Sequence, residues 1–442
     1  MTPSDTPFDL VVRSRRTVTP EGERAAAIAV RDEKIIALYD YAAPLPAAED
    51  VDLRGLALLP GLVDTHVHVN EPGRTHWEGF DSATRAAAAG GVTTILDMPL
   101  NSLPPTVSAE ALEVKLRAAG GQCHVDVGFW GGAVPGNAKD LAPLHERGVF
   151  GFKCFMSPSG VEEFPPLGPE EMRAALAEVA GFGGLMVVHA EDPDLLAEPG
   201  GPSYREFLDS RPGACERSAV ERAVRMAEET GCRVHILHVS SAECLEVLET
   251  AMARGVAVSA ETCPHYLTLA AELVPEGVTT YKCCPPIRSR ANGDLLWDGL
   301  ARGVLGCVVS DHSPSTAELK VPDFAAAWGG IASLQLGLPA VWTEAARRGH
   351  GLGDVVRWMS ANPAAMAGIS GKGGIKVGND ADLVAFDPDA DNLIDAGRLH
   401  HKNPVTPYHG RTLKGAVLTT WLRGRPVDGD PHGRLLTARG AF

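Results

Sequence analysis

The chain is short of basic residues. Its 40 Lys and Arg are outnumbered by 56 Asp and Glu, which leaves a formal net charge of −16. Nucleic acids and anionic membrane surfaces are bound through patches of positive charge. The charge balance therefore argues against both kinds of partner and favours solubility.

Long hydrophobic runs are also missing. A membrane-spanning helix needs roughly 20 consecutive apolar residues, and no run in the sequence approaches that length. Residues 1–7 lack the basic and then apolar segments of a signal peptide. The nine cysteines are an odd number without the spacing of a small disulfide scaffold, which is typical of reduced thiols. From these absences we expect a cytoplasmic protein.

Both ends of the chain contain short β-type runs separated by polar and Gly/Pro turns. These runs are 8–13, 27–30, 34–38, 381–386 and 415–422. Neither end alone has enough strands to cover its apolar face. We therefore predict one small β-sandwich domain from residues 1–60 plus 367–442, and a larger domain over 61–366.

The middle of the chain alternates between apolar strands and amphipathic helices. The predicted strands are 61–69, 91–99, 124–131, 149–155, 185–191, 232–240, 256–262 and 303–311. Helical patterns lie between them, such as 81–90, 108–119, 168–180, 216–230 and 243–253. Eight such units predict an α/β fold, a (β/α)8 TIM barrel. A doubly wound open sheet is the alternative, but no Gly-x-Gly-x-x-Gly follows the first strand.

The first of these strands ends in His66-Val-His68. Residues two apart on a strand point to the same side, so both imidazoles face one way. In a barrel, the carboxyl ends of the strands carry the chemistry. The pair therefore predicts a metal clamp, because imidazole binds Zn, Fe and similar ions. A pair of hydrogen-bonded structural histidines is the alternative for this motif alone.

Four other strands also end in residues suited to metal chemistry. They supply Lys153, His189, His238 and Asp311. Each alone has an ordinary structural alternative, since a strand histidine is commonly hydrogen-bonded in the core and Asp311 could cap a helix. Together they would crowd one barrel mouth, which favours a metal site.

A buried lysine is costly unless its charge is removed or paired. Carboxylation of Lys153 by CO2 would give an anion whose two oxygens can bridge two metal ions. The side chains then form two sites, one of His66, His68 and Asp311 and the other of His189 and His238. Two divalent ions held a few ångströms apart share a bridging hydroxide at neutral pH.

Longer motifs around these residues resemble the amidohydrolase superfamily, specifically the cyclic amidohydrolases with a carboxylated lysine. The resemblance covers nearly the whole chain, and within the superfamily it is similar to the allantoinase branch. The stretches that carry it are 66–74 (HVHVNEPGR), 97–106 (DMPLNSLPPT), 151–155 (GFKCF), 261–267 (ETCPHYL), 282–288 (KCCPPIR), 310–314 (SDHSP) and 328–335 (WGGIASLQ).

The resemblance implies a complete set of metal ligands: His66, His68, Lys153 as N6-carboxylysine, His189, His238 and Asp311. The implied cofactors are two divalent ions per chain, with Zn as the default and Fe, Mn or Co as alternatives, and CO2 for the carboxylation. A homotetramer is the implied assembly. Loss of metal ligands would instead mark a non-enzymatic scaffold homologue, and no ligand is lost here.

Residues expected to line the substrate pocket differ between the branches of cyclic amidohydrolases, and they indicate which substrate each branch binds. Dihydroorotases grip a substrate carboxylate from three positions that are occupied here by Asn70, Leu100 and Ser315. Hydantoinases and dihydropyrimidinases carry a tyrosine where this chain has Pro158. An anionic substrate would be left unpaired, so we expect a neutral cyclic ureide such as allantoin. A hydantoinase-like activity is the alternative.

The implied reaction is hydrolysis of a ring amide. The hydroxide attacks the ring carbonyl, and Asp311 passes the proton to the leaving ring nitrogen. Candidate substrate contacts are Asn70, Asn101, Cys284, Ser315 and Gly329; for the Asn and Ser residues a turn or cap role is the alternative.

Four further side chains near the motifs are expected to act structurally. His265 and His312 lie beside motif residues and are candidates for orienting metal ligands. Glu71 and Arg74 are expected to form a structural ion pair with each other, with contact to the substrate as the alternative.

Overall fold

A computed structural model of the chain describes residues 7–441. Residues 1–6, where we expected no signal peptide, and residue 442, the end of the predicted small domain, lie outside the described residues. The strands are β1 Phe8–Thr19, β2 Gly22–Arg31, β3 Lys34–Tyr39, β4 Ala47–Asp52, β5 Ala57–Pro60, β6 Leu62–Val67, β7 Val92–Asp97, β8 Asp126–Phe129, β9 Gly131–Gly132, β10 Phe152–Phe155, β11 Leu185–His189, β12 Arg233–Ile236, β13 Val258–Thr262, β14 Cys307–Val308, β15 Leu383–Leu393, β16 Thr412–Leu422, β17 Arg425–Pro426, β18 Leu436–Thr437 and β19 Gly440–Ala441.

Most of the longer helices lie between the strands of the middle region. The α-helices are α1 Phe80–Ala89, α2 Ala109–Ala119, α3 Ala138–Glu146, α4 Pro169–Gly181, α5 Tyr204–Asp209, α6 Gly213–Thr230, α7 Cys244–Ala253, α8 Pro264–Thr268, α9 Arg290–Ala301, α10 Gly337–Arg347, α11 Leu352–Val356 and α12 Asn362–Ala367. Within residues 7–441, none of the helices combines the length and apolar character that crossing a membrane requires.

Strands β6 to β14 form a closed parallel barrel. Hydrogen bonds join β6, β7 and β8 in one group and β9 to β14 in another. Only Trp130 separates β8 from β9, so the two behave as one interrupted strand. The ring closes between its first and last strands, where Val67 bridges His312 and the His68 amide donates to the His312 carbonyl at 2.8 Å. The predicted (β/α)8 barrel is confirmed, and the open-sheet alternative is wrong.

Local sequence explains why these elements form. Strands β6, β7, β10 and β11 are buried along their whole length, as expected for parallel strands covered by helices. Helix α2 starts at Ser108, whose side chain accepts from the Ala111 amide. Helix α4 starts with Pro169, whose fixed φ suits the first turn. Helix α6 stops at Gly231, which takes a left-handed conformation with φ of 72°.

Both ends of the chain build one further sheet. Its strand order is β17-β16-β15-β5-β1-β2-β3, with β4 also paired to β1. The two ends meet where β5 pairs with β15, Pro60 lying opposite Leu383. One face is covered by a buried apolar cluster that includes Leu10, Ile28 and Trp421. The predicted fold class, a barrel with a small β-rich domain from both termini, is confirmed.

A buried ion cluster joins this sheet to the amino-terminal end of the barrel strands. Lys372 Nζ lies 2.7 Å from Asp126 in β8, 2.7 Å from Asp382 and 2.9 Å from Asp380. Arg423 also binds Asp126 at 2.6 Å. Burial alone would lower the pKa of Lys372, but the three carboxylates outweigh it and raise that pKa. The cluster fixes the small sheet against the barrel at the end away from the predicted metal site.

Removal of the central cation of this cluster is expected to destabilise the protein. Lys372→Met would remove the cation that Asp126, Asp380 and Asp382 share, and the buried Asp382 would lose its ion pair, which costs about 3 to 5 kcal/mol. The measurement is the free energy of unfolding from urea titration. Lys414→Met is the matched control, because the Lys414–Asp391 pair is exposed and its loss is expected to leave the midpoint unchanged. Equal midpoints for both variants would contradict a stabilising role for the cluster.

Candidate metal centre

The six predicted metal ligands converge at the carboxyl ends of the barrel strands. His66 is the penultimate residue of β6, His68 follows the end of that strand, and His189 ends β11. All six side chains line one cavity, and each residue is less than a tenth exposed. The six are His66, His68, Lys153, His189, His238 and Asp311. The barrel therefore brings together residues that lie up to 245 positions apart in the sequence.

His66, His68 and Asp311 form the first cluster. One ligand atom from each lies within 4.8 Å of the other two. Asp311 Oδ1 is 3.2 Å from His66 Nε2 and 3.7 Å from His68 Nε2. Despite this proximity, the His66 Nε2 atom is buried without a hydrogen bond among residues 7–441. Such an atom fits a metal ion, since a buried polar atom otherwise requires a partner.

Hydrogen bonds on the far side of both rings fix their orientation. His68 Nδ1 lies 2.7 Å from the Leu100 carbonyl, which can only accept, so Nδ1 carries the proton. His66 Nδ1 lies 2.6 Å from Glu261 Oε1, likewise an acceptor. Both Nε2 atoms therefore present lone pairs to Asp311. Burial, followed by the neighbouring His66 and Lys153, lowers the pKa of His68 well below its usual value, which keeps the ring neutral for binding.

His189 and His238 form a second cluster. His189 Nε2 donates to Glu191 Oε2 at 2.8 Å, so its Nδ1 carries the lone pair. That Nδ1 lies 3.0 Å from His238 Nε2, and His238 Nδ1 is buried without a hydrogen bond in the described part of the chain. The facing nitrogens suit a shared cation. The His66 and His238 ring centroids are 5.3 Å apart, so the two clusters are adjacent.

Lys153 lies in the same cavity without a polar partner. Its Nζ contacts the Phe155 ring, 4.6 Å from the centroid, and within residues 7–441 no hydrogen bond or ion pair reaches it. Burial lowers the pKa of Lys153 to about 8, although Asp311 and Glu261 act in the opposite direction. An amine in this state is more readily neutral than an exposed lysine. The neutral amine is the form that reacts with CO2.

Two buried carboxylates hold the histidines from behind, and we did not predict either role from the sequence. Burial would raise the pKa of Glu261, but His66 and His235 outweigh it and hold that pKa at about 2. For Glu191, Arg211 and His189 similarly outweigh burial, and its pKa is about 2. The position of Glu191 two residues after His189 on a strand is a signal that could have found it.

Two of the six residues have strained backbones. His238 has φ of 38° and Asp311 has φ of 43°. Left-handed conformations cost non-glycine residues about 1 to 3 kcal/mol each and gather at functional sites. The surrounding packing holds both side chains in the cavity in spite of this cost.

The cavity above the two clusters measures about 650 Å³, within the usual range for small-molecule sites. Three of the predicted substrate contacts, Asn101, Cys284 and Gly329, line it. Asn70 and Ser315 are buried but are not among the described residues that form its wall. Asn70 instead accepts a hydrogen bond from the Asn101 side chain at 3.2 Å.

One wall of the cavity is the loop 325–330, which is held by two lysines. Lys282 Nζ donates to the carbonyls of Ala325 and Ala327, at 3.1 and 2.6 Å. Lys320 Nζ donates to the carbonyls of Trp328 and Gly330, at 2.9 and 2.7 Å. The sequence could not predict these contacts, because the acceptors are backbone carbonyls, which every residue has whatever its side chain.

Gly330 itself is required by the path of this loop. Its φ is 124°, and a Cβ at this position would lie 2.3 Å from the Ser313 carbonyl oxygen. A larger residue would displace the cavity wall from the end of the eighth barrel strand.

The structure corrects one expectation and qualifies another. The expected Glu71–Arg74 pair is wrong: Arg74 pairs with Glu163 at 2.5 Å, and Glu71 accepts from the Phe80 amide at the start of α1. His312 accepts from two backbone amides and lies 3.3 Å from Glu78, so it supports the chain beside Asp311.

The family model for the amidohydrolase family matches residues 57–427. This match covers well over half of the chain, including the barrel and both metal-ligand clusters. The chain belongs to the amidohydrolase family, and the resemblance inferred from its motifs is confirmed.

Within that family, the chain is similar to curated allantoinases. It is 57% identical to the allantoinase of Streptomyces avermitilis, over 97% of this chain and 98% of that protein. Identity to the allantoinase of Saccharomyces cerevisiae is 48%, over 85% of this chain and 84% of that one. Identity to the allantoinase of Arabidopsis thaliana is 41%, over 95% of this chain and 88% of that one.

Solved structures of the same fold include hydantoinases. The L-hydantoinase (dihydropyrimidinase) of Arthrobacter aurescens has a TM-score of 0.93 and 31% identity, covering 97% of this chain and all of that one. The dihydropyrimidinase of Brevibacillus agri has a TM-score of 0.88 and 28% identity, covering 98% and 99%.

Glu261 offers a test of the metal centre that leaves all six candidate ligands in place. In Glu261→Gln, an amide can no longer accept from both His66 and His235, so the His66 ring loses its fixed orientation. We expect affinity for Zn(II) to fall about 10- to 100-fold, measured as metal retained against a graded chelator. Glu246→Gln, an exposed carboxylate on α7, is the control. Equal retention in the two variants would show that Glu261 does not support the site.

Proposed function

We propose that this protein is an allantoinase, which hydrolyses the hydantoin-ring amide of allantoin to allantoate. The observation that carries the proposal is 57% identity to a curated allantoinase over 97% of the chain. The buried His/Asp/Lys clusters beneath a cavity of suitable size supply the chemistry for such a hydrolysis.

The residues present fit a binuclear divalent metal centre. His66, His68 and Asp311 would hold one ion, and His189 and His238 the other. Lys153, carboxylated by CO2, would bridge the two. The support for this arrangement is the orphaned His66 Nε2 atom, the facing His189 Nδ1 and His238 Nε2 atoms, and the Nε2 lone pairs that Glu261 and Leu100 orient into the cavity. When bound, such ions polarise a carbonyl and lower the pKa of water; Zn is the default, with Fe, Mn or Co as alternatives.

The catalytic residue of the chain itself is Asp311. Its carboxylate takes the proton of the attacking water and delivers it to the leaving ring nitrogen. Burial raises the pKa of Asp311 above its usual value, although His66 and Lys153 act against that effect. The left-handed backbone at Asp311 aims the carboxylate at the cavity floor.

Substrate recognition is assigned to the cavity wall. Asn101, Cys284 and Gly329 line the cavity and are proposed to contact the ring. Asn70 acts through its hydrogen bond with Asn101, and Ser315 acts by shaping the segment after Asp311.

Three further proposals complete the assignment. The domains are 1–60 plus 367–442 and 61–366. The assembly is a homotetramer. The location is cytoplasmic, which is supported by nine free cysteines.

A hydantoinase or dihydropyrimidinase activity is the second candidate. The TM-score of 0.93 to an L-hydantoinase favours it, because a protein of closely similar fold carries that activity.

The experiment that separates the two compares allantoin, hydantoin, dihydrouracil and dihydroorotate as substrates. The enzyme is first supplied with Zn(II) or Co(II) and bicarbonate. We expect kcat/KM to be highest for allantoin and lowest for the anionic dihydroorotate, whose carboxylate would be left unpaired. Preference for hydantoin or dihydrouracil would replace allantoinase by the second candidate.

Removal of the bridging lysine is expected to remove both metal ions. Lys153→Ala eliminates the only side chain proposed to bind both, so each site loses a ligand at once. Metal content per chain, measured by atomic emission, should fall from two towards zero. Lys139→Ala, on the exposed surface, is the control. Retention of two ions by the Lys153→Ala protein would show that Lys153 does not bridge them.

Asp311→Asn tests the proton transfer. The carboxamide keeps the shape of the side chain but cannot accept the proton, so kcat should fall by a factor of about 10² to 10⁴. Much of the metal is expected to remain, which metal analysis of the same sample checks. The exposed Asp298→Asn change serves for comparison. A near-normal rate in Asp311→Asn would exclude Asp311 as the proton carrier.

A further inference from the structure

His265, in the short helix α8, is a buried imidazole that the proposed reaction does not use. Its relative exposure is 0%. Both ring nitrogens are without a hydrogen bond among the residues that the structure describes. Buried polar groups are nearly always partnered, because an unpaired one costs free energy. Either ring nitrogen of His265 is therefore available to bind a cation or another polar partner.

Two other metal-binding side chains face this ring. Cys263 Sγ, one nitrogen of His265 and one carboxylate oxygen of Asp311 all lie within 4.8 Å of one another. All three residues are buried. Cys263 immediately precedes α8 and His265 lies in its first turn, so the two side chains are carried by one rigid segment.

We propose that Cys263, His265 and Asp311 form a third cation site, which takes a soft divalent cation such as Zn(II) in excess. Sulfur, imidazole and carboxylate are the ligands of zinc sites in proteins. Ligand atoms around a tetrahedral zinc ion are roughly 3.3 to 3.7 Å apart. Because the separations here are no greater than 4.8 Å, small side-chain movements suffice for the three ligands to reach a cation. The thiol proton leaves to solvent as the sulfur–metal bond forms, and no electrons are transferred.

Occupation of this site inhibits the enzyme, a consequence that rests on the proposed function. Asp311 Oδ1 already lies 3.2 Å from His66 Nε2 at the first cluster. A carboxylate that is bound to a third cation is no longer free to carry a proton to the leaving nitrogen. Excess metal thus lowers the rate through its effect on Asp311.

Sulfur distinguishes the third site from the proposed catalytic centre. The six catalytic ligands offer only nitrogen and oxygen, so a thiolate-to-metal absorption band reports the third site alone. Among the residues that the structure describes, Cys283 and Cys284 are the rival thiols, because both line the cavity, whereas Cys263 does not.

The test adds Co(II) to the enzyme already loaded with two equivalents of Co(II) and bicarbonate. We expect a near-ultraviolet thiolate-to-Co(II) band to grow with a third equivalent and to disappear with a mild chelator. Wild type, Cys283→Ala and Cys284→Ala should all show the band. Cys263→Ala should lose it, and His265→Gln should need at least tenfold more Co(II).

Inhibition is measured in parallel, each variant being compared with its own rate without excess metal. Excess Zn(II) should inhibit wild type and Cys284→Ala at concentrations at least tenfold below those that affect Cys263→Ala. The substrate is whichever ring amide the protein hydrolyses best, so the absorption result stands even if allantoin is not the substrate.

Two results would overturn the proposal. One is the absence of a thiolate band in wild type at any excess of Co(II), which decides the matter even if Cys263→Ala fails to fold. The other is a band that is lost in Cys283→Ala or Cys284→Ala, which would move the bound cation to the cavity wall.

Discussion

The arrangement of side chains at the carboxyl end of the barrel depends on the free-energy cost of burying titratable groups. Four imidazoles, a lysine and a carboxylate all lie in one cavity with little access to water. Each must be neutral, paired or bound to a cation. The chain meets this constraint with acceptors behind the rings, such as Glu261 and the Leu100 carbonyl. The same acceptors leave the unprotonated nitrogens directed into the cavity.

These supporting groups extend well beyond the cavity. Glu261 binds both His66 and His235, and His235 in turn contacts Ser259 at 2.7 Å. On the other side, Glu191 joins His189 to Arg211. The candidate ligands are thus fixed by two neighbouring strands and by a loop that also lines the cavity. A change in that loop can therefore alter both the ligand geometry and the shape of the cavity.

The sequence predicted those site residues whose positions follow from the two-residue period of a strand. His66 and His68 follow from a period of two at the end of an apolar run, and His189 and His238 from the same position on other strands. Glu261 was missed because a carboxylate in a buried strand gives no indication of its partner. Lys282 and Arg211 were missed because loop paths have no period, and the Glu71–Arg74 pair failed because proximity in sequence does not fix side-chain direction in a turn.

The pairing of β5 with β15 has a consequence for synthesis of the protein. Pro60 emerges from the ribosome more than 300 residues before its partner Leu383. At the usual elongation rates this gap lasts roughly 15 to 65 s. During that interval one edge of the amino-terminal strands has unpaired backbone groups, a known route to aggregation. All the barrel strands are therefore synthesised before β15 and β16 can complete the sheet.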